Sequence, residues 1–154
     1  MAREITEKNE RFKGRNINEI DRKLFQDEIF NLQKKLMESL IDKKEIYFSD
    51  RGFGDTIAYY KLNGFTVPQQ YLQHARNFSN YPVFILKPLN FYKTDELRQE
   101  TFEEQKRIHD AIIKAYVELN HPLTFVPRMT TNKRAEFNIE KSLKLQKEIF
   151  SIKI

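Results

Sequence analysis

The sequence predicts an α/β fold built on parallel strands, and three observations predict it. Short apolar runs that read as strands alternate with longer stretches whose apolar residues recur at three- and four-residue steps, as in helices laid on a parallel sheet. The chain has 154 residues, of which 40% are hydrophobic and 13% aromatic, the size and content of one packed domain spanning residues 1–154. Turn-forming residues punctuate the runs: Asn63-Gly64 ends a helical stretch, while Pro88 and Pro127 close apolar runs.

The elements follow in order. Residues Ala2 to Asn9 read as a short helix, and Arg11 to Arg15 as a loop. From Ile17 through Ile20, Leu24, Phe25, Ile29, Leu32 and Leu36 to Leu40 the spacing predicts a long amphipathic helix, with Asn16 or Asn18 as its cap. Lys44 to Ser49 is the first predicted strand, ending in Asp50-Arg51-Gly52. Asp55 to Leu62 reads as a helix, and Val67-Pro68 opens another. Pro82 to Lys87 is the second strand and Asn90 to Glu100 a polar loop. The loop leads into a helix carrying Phe102, Ile108, Ile112, Tyr116 and Leu119. Leu123 to Val126 is the third strand, and a basic helix with Phe137, Ile139, Leu143 and Ile149-Phe150 finishes the chain.

Composition narrows the function. The absence of cysteine excludes disulfides, thiolate metal sites and cysteine nucleophiles. No apolar stretch is long enough to span a bilayer and no secretory leader follows Met1, so a cytoplasmic protein is expected. The net charge is +5, yet acids and bases interleave through most of the chain, so nucleic acid is not the expected partner. His74, His109 and His121 are scattered without metal-ligand spacing and read as surface or packing residues.

In a parallel sheet, ligands bind beyond the carboxyl ends of the strands. That rule selects Asp50-Arg51-Gly52, the loop from Lys87 to Glu100, and Pro127-Arg128. Asp50 could hold magnesium through water or take a proton from an attacking hydroxyl, and Arg51 could grip phosphate with its forked guanidinium. Lys93 and Arg98 could close over phosphates as a lid. The same residues also admit a purely structural account. Asp50 would then cap the next helix, Arg51 would pair with a neighbouring acid, and Thr94 or Asp95 would start the helix that follows.

The order of these segments resembles the second half of a P-loop ATPase family related to NadR-type nicotinamide riboside kinases. The resemblance is carried by Phe48-Ser49-Asp50-Arg51-Gly52, Asp55-Thr56-Ile57-Ala58-Tyr59 and Val83-Phe84-Ile85-Leu86. Tyr92 to Thr101, Ala115 to Leu119 and Leu123 to Pro127 extend it, and Ala2-Arg3-Glu4-Ile5 resembles the family's helix after its second strand. It implies a three-layer P-loop NTPase-like parallel sheet, binding of ATP and Mg2+, and kinase-like phosphoryl transfer or ATP hydrolysis on a small-molecule substrate. It further implies that Asp50, Arg51 and Arg98 are catalytic, with Asp50 also the metal ligand. Lys93, Asp95 and Arg128 would bind the nucleotide.

One part of the pattern is missing. The 154 residues contain no G-x-x-x-x-G-K-[ST], the loop whose amides and lysine cradle phosphates. The expected architecture is therefore incomplete, without the first strand, the phosphate loop and the first helix, as in the C-terminal portion of a longer domain or in a degenerate relative that has lost nucleotide chemistry. A chain of this kind is expected to be inactive alone. A non-catalytic module, binding a protein partner or an anionic surface through its basic C-terminal helix, or self-associating through exposed sheet edges, is the alternative.

Overall fold

The computed structural model describes residues 12, 21–41, 43, 45–87 and 101–151, with side chains to 147. In chain order the elements are α1 (Arg22–Leu40), α2 (Phe53–Leu62), α3 (Gln69–Arg76), β1 (Val83–Leu86), α4 (Phe102–Glu118), β2 (Leu123–Val126) and α5 (Thr131–Ser151). The architecture is α/β. The predicted helix over 2–9 and the loop over 90–100 lie outside the described residues, as do Asn16 and Asn18.

Helix α1 starts later than the periodicity predicts. Asp21 caps it, accepting from the backbone N–H of Lys23 at 2.9 Å and of Leu24 at 3.0 Å. Its buried face is Phe25, Gln26, Ile29, Phe30 and Gln33, whereas Leu32 and Leu36 of the predicted stripe are exposed. The inward face thus takes in two glutamines. One of them, Gln33, is satisfied by the Thr56 hydroxyl, which donates to its side-chain oxygen at 3.2 Å.

Helix α2 is the centre of the molecule. Every residue from Phe53 to Ala58 is buried, as is Tyr60, which places neighbours on all its sides. Phe30 of α1, Phe53, Ile57, Ala58 and Tyr60 of α2, Tyr71 and Ala75 of α3, Phe78, and Ala115 and Leu119 at α4 form one continuous core. The helix ends where Asn63-Gly64 predicts. Gly64 has φ +75°, Phe65 N–H donates to Tyr60 O at 2.9 Å, and Gly64 N–H donates to Lys61 O at 3.0 Å. The end of α4 repeats this closure around Asn120, at φ +61°, with His121 N–H donating to Tyr116 O at 3.1 Å. Pro68 stands one position outside α3 rather than within its first turn.

Strands β1 and β2 pair in parallel, with Val83 opposite Leu123 and Leu86 opposite Val126, as two of the three predicted strands require. The third expectation is corrected. Residues 45–49 form no strand, and Ile46, Tyr47 and Phe48 are exposed, the last by 55%. A strand exists by pairing its amides with a neighbour, and among the described residues this run has none. The sheet of the described residues is therefore two-stranded. Helix α5 packs against β2 and leaves Ile139 and Leu143 exposed.

Candidate functional site

The chain between residues 49 and 52 turns sharply into α2, and hydrogen bonds hold the peptide group between Arg51 and Gly52. Arg51 adopts φ +73°, a left-handed conformation that costs a residue with a Cβ about 1–2 kcal/mol. In the peptide group after Arg51, the Ser49 hydroxyl donates to the carbonyl, Arg51 O, at 2.8 Å. The N–H of the same peptide, that of Gly52, donates to Asp55 Oδ2 at 3.0 Å, while Asp55 N–H donates to Gly52 O at 3.1 Å. Asp55 thus supplies the returning half of a capping box, while glycine at the cap contributes only its backbone.

The guanidinium of Arg51 lies 5.6 Å from the centre of the Tyr59 ring. Partial burial opposes its charge, but Tyr59, Asp55 and Asp50 favour it, and the outcome is a pKa above the ordinary arginine value. Arg51 is thus a permanent cation beside an exposed carboxylate, Asp50. Cation and carboxylate next to each other on a strained turn suit the gripping of a phosphate whose metal ion the acid could steady.

Behind the turn stands Tyr116 of α4. Its hydroxyl donates to Asp55 Oδ2 at 2.6 Å, and its ring covers the backbone of Gly52 and Gly54. A Cβ added at Gly54 would lie 2.6 Å from that ring, and one at Gly52 would lie 2.8 Å from the hydroxyl oxygen. Burial above all, then the charge of Asp55 and its hydrogen bond, drive the Tyr116 pKa well above the ordinary tyrosine value. The phenol therefore stays a donor.

Two readings of the sequence change here. Asp50 does not cap α2, because Gly52 and Asp55 perform that role. Nor do Asp50 and Arg51 stand at the carboxyl end of a paired strand, since residues 45–49 pair with nothing described. The sheet rim belongs instead to Lys87 and Arg128, which follow β1 and β2 where Leu86 and Val126 are in register. Lys93, Asp95 and Arg98 lie outside the described residues. Helix α4, as described, is capped by Thr101, one residue before Phe102, rather than by Thr94 or Asp95. His74 meets the rings of Phe30, Phe53 and Phe78, the packing role expected of it. A cleft of about 300 Å³ lined by Glu38, His74 and Tyr81 holds none of the predicted site residues.

Sequence reasoning missed Asp55 and Tyr116. The signal for Asp55 was present, as an acid three residues after Gly52 at a helix start. Tyr116 is 61 residues further on, and nothing local marks it.

The match to known families decides the class. A family model described as an AAA domain covers residues 1–134. The chain belongs to the AAA domain family. No curated protein and no solved structure matches it. AAA domains are nucleotide-binding P-loop modules, so ATP with Mg2+ is the general ligand of the class. The described residues of this AAA domain fit part of that group. Asp50 can share a magnesium ion with phosphates and water, which is how Mg2+ is usually held. Among the described residues no cluster of three or more His, Cys, Asp or Glu could hold a metal ion by itself. No helix among them is long and apolar enough to cross a membrane.

Proposed function

We propose that this AAA domain carries the acid–arginine part of an ATP-dependent phosphotransfer site, kinase-like and NadR-like in design. The observation that carries the reading is the Asp50–Arg51 turn, in which a strained, over-determined backbone presents a cation beside an exposed carboxylate. Strain of this kind persists where surrounding bonds impose it, and it concentrates at functional sites.

In this reading Arg51, with Arg98, binds and neutralises the transferring phosphoryl group. Asp50 would hold Mg2+ through water or accept the proton of the attacking hydroxyl. Lys93 and Asp95 belong to the segment that meets the phosphates, and Arg128 lies toward the base. Bound Mg-ATP supplies the phosphoryl group. The acceptor is a small molecule. Because the 154 residues lack a phosphate loop, they lack the amide nest and lysine that offset triphosphate charge. Phosphoryl transfer accordingly belongs to a chain that also carries that loop, and this polypeptide alone transfers no phosphate.

Titration of Mg-ATP into the purified chain by calorimetry tests the reading. Binding weakened at least about tenfold by Arg51→Ala, the worth of one charge-assisted hydrogen bond, supports it. Binding indifferent to Arg51→Ala overturns a phosphate site at this turn, whereas no binding assigns the nucleotide site to a chain that also carries the phosphate loop. Phosphoryl transfer by the isolated chain, abolished by Asp50→Ala, would refute the inactivity.

A second reading rests on α5, whose Ile139 and Leu143 form an exposed apolar pair one helical turn apart. A protein partner would cover them, and its binding would be indifferent to ATP and lost with Ile139→Asp.

A further inference from the structure

We infer that Tyr116 is a positioning residue that sets the conformation of Arg51 through the carboxylate of Asp55. The inference rests on the reading of Arg51 as a phosphate contact, and it concerns a residue in another helix that need never touch a ligand.

Arg51 is strained, at φ +73°. A left-handed arginine relaxes unless bonds to its neighbouring backbone hold it there. The peptide group that follows Arg51 is bonded at both of its ends: the Ser49 hydroxyl donates to its carbonyl, and its N–H, that of Gly52, donates to Asp55 Oδ2. The first of these bonds is exposed and easily exchanged for water. The second is part-buried, so the conformation of Arg51 depends chiefly on where the Asp55 carboxylate stands.

Tyr116 decides that. Its hydroxyl donates to the same oxygen that receives the Gly52 N–H, and both Asp55 and Tyr116 are buried, at 9% and 4% exposure. The phenol is aimed by packing, because its ring lies against Gly52 and Gly54, where any side chain would displace it. Helix α4 thus reaches the turn through the Tyr116 side chain, whose hydroxyl bears on the carboxylate. Removing the oxygen while keeping the ring deprives a buried carboxylate of a donor and frees it to seek another. The backbone of Arg51 is then no longer held against its preference.

Two nuclear magnetic resonance measurements on the full chain without nucleotide test this. In the unaltered protein the Gly52 amide exchanges with solvent at least about tenfold slower than an unstructured glycine amide, given the worth of a hydrogen bond to a carboxylate. Free exchange there would overturn the clamp whether or not any variant folds. In Tyr116→Phe, with helical content and a cooperative melt retained, the strong Arg51 HN–Hα cross-peak that marks a positive φ should disappear. Its persistence in the folded variant would show that Tyr116 serves stability alone, and would overturn the inference. Neither readout involves ATP. Failure of the nucleotide reading is seen separately, in calorimetry of Arg51→Ala.

Discussion

Phe30 of α1 and Tyr71 of α3 stack face to face, with ring centres 3.8 Å apart and planes within 7°. The pair joins two helices across the face of α2, and Phe30 also tilts against Phe53 at 5.0 Å. Phe30 is 2% exposed, so truncation leaves a cavity that α2 cannot collapse to fill. Phe30→Ala should cost about 3–5 kcal/mol in urea unfolding. A loss below about 1 kcal/mol would contradict this packing.

Tyr71 has a second role through its hydroxyl, which donates to Asp27 Oδ1 at 2.7 Å. Tyr60 donates to the same oxygen. Burial first, then the hydrogen bond and charge of Asp27, push the Tyr71 pKa up to about 12. A phenol whose pKa is raised on folding contributes stability that is fully present below its unfolded value of 10.0. That contribution is lost as pH rises toward about 12. Alkaline titration followed by tyrosinate absorbance should show a late-ionising class. In Asp27→Asn that class should ionise earlier, and stability at neutral pH should fall by about 1–3 kcal/mol.

Two glycines are needed for different reasons, and alanine at each separates them. Gly54 has no room, since its added Cβ would meet the Tyr116 ring at 2.6 Å. Gly64 has open space but φ +75°. Gly54→Ala should cost about 1–3 kcal/mol by overpacking and disturb the Arg51 turn. Gly64→Ala should cost about 1–2 kcal/mol and leave that turn intact. Equal disturbance of the Gly52 amide by both variants would defeat the distinction.

The start of α4 makes a prediction about acid. Thr101 and Glu104 form a capping box, with Thr101 N–H donating to Glu104 Oε2 at 2.7 Å and Glu104 N–H to Thr101 Oγ1 at 3.2 Å. The backbone N–H and then the hydroxyl of Thr101 hold the Glu104 pKa below its ordinary 4.5. A depressed carboxyl contributes stability that is present above the unfolded pKa and lost as pH falls through the folded one. Thr101→Ala should destabilise by about 1 kcal/mol at neutral pH. Glu104→Gln should flatten the stability profile below pH 4.5, and an unchanged acid limb would disprove the linkage.

What could be read from the sequence were the elements whose causes are local. The end of α2 is an example, because Asn63-Gly64 closes the helix with its own backbone. The start of α1 was misplaced because Asn16, Asn18 and Asp21 are chemically equivalent caps, and packing of Phe25 and Ile29 selects among them. The run 45–49 was misread for the opposite reason. Its composition suits a strand, but a strand also requires a neighbour at the right distance, which no local pattern supplies.

The same division runs through the candidate site. Sequence by itself determined that an acid and an arginine stand together before a helix, and that Asp55 follows Gly52 at the spacing of a capping box. Both are consequences of covalent adjacency. Only the tertiary structure decided that Arg51 is held at φ +73°, that Tyr116 donates to Asp55, and that Gly54 leaves room for nothing but that ring. These depend on how closely α4 approaches α2, and that distance is set by the whole core rather than by any run of residues within it.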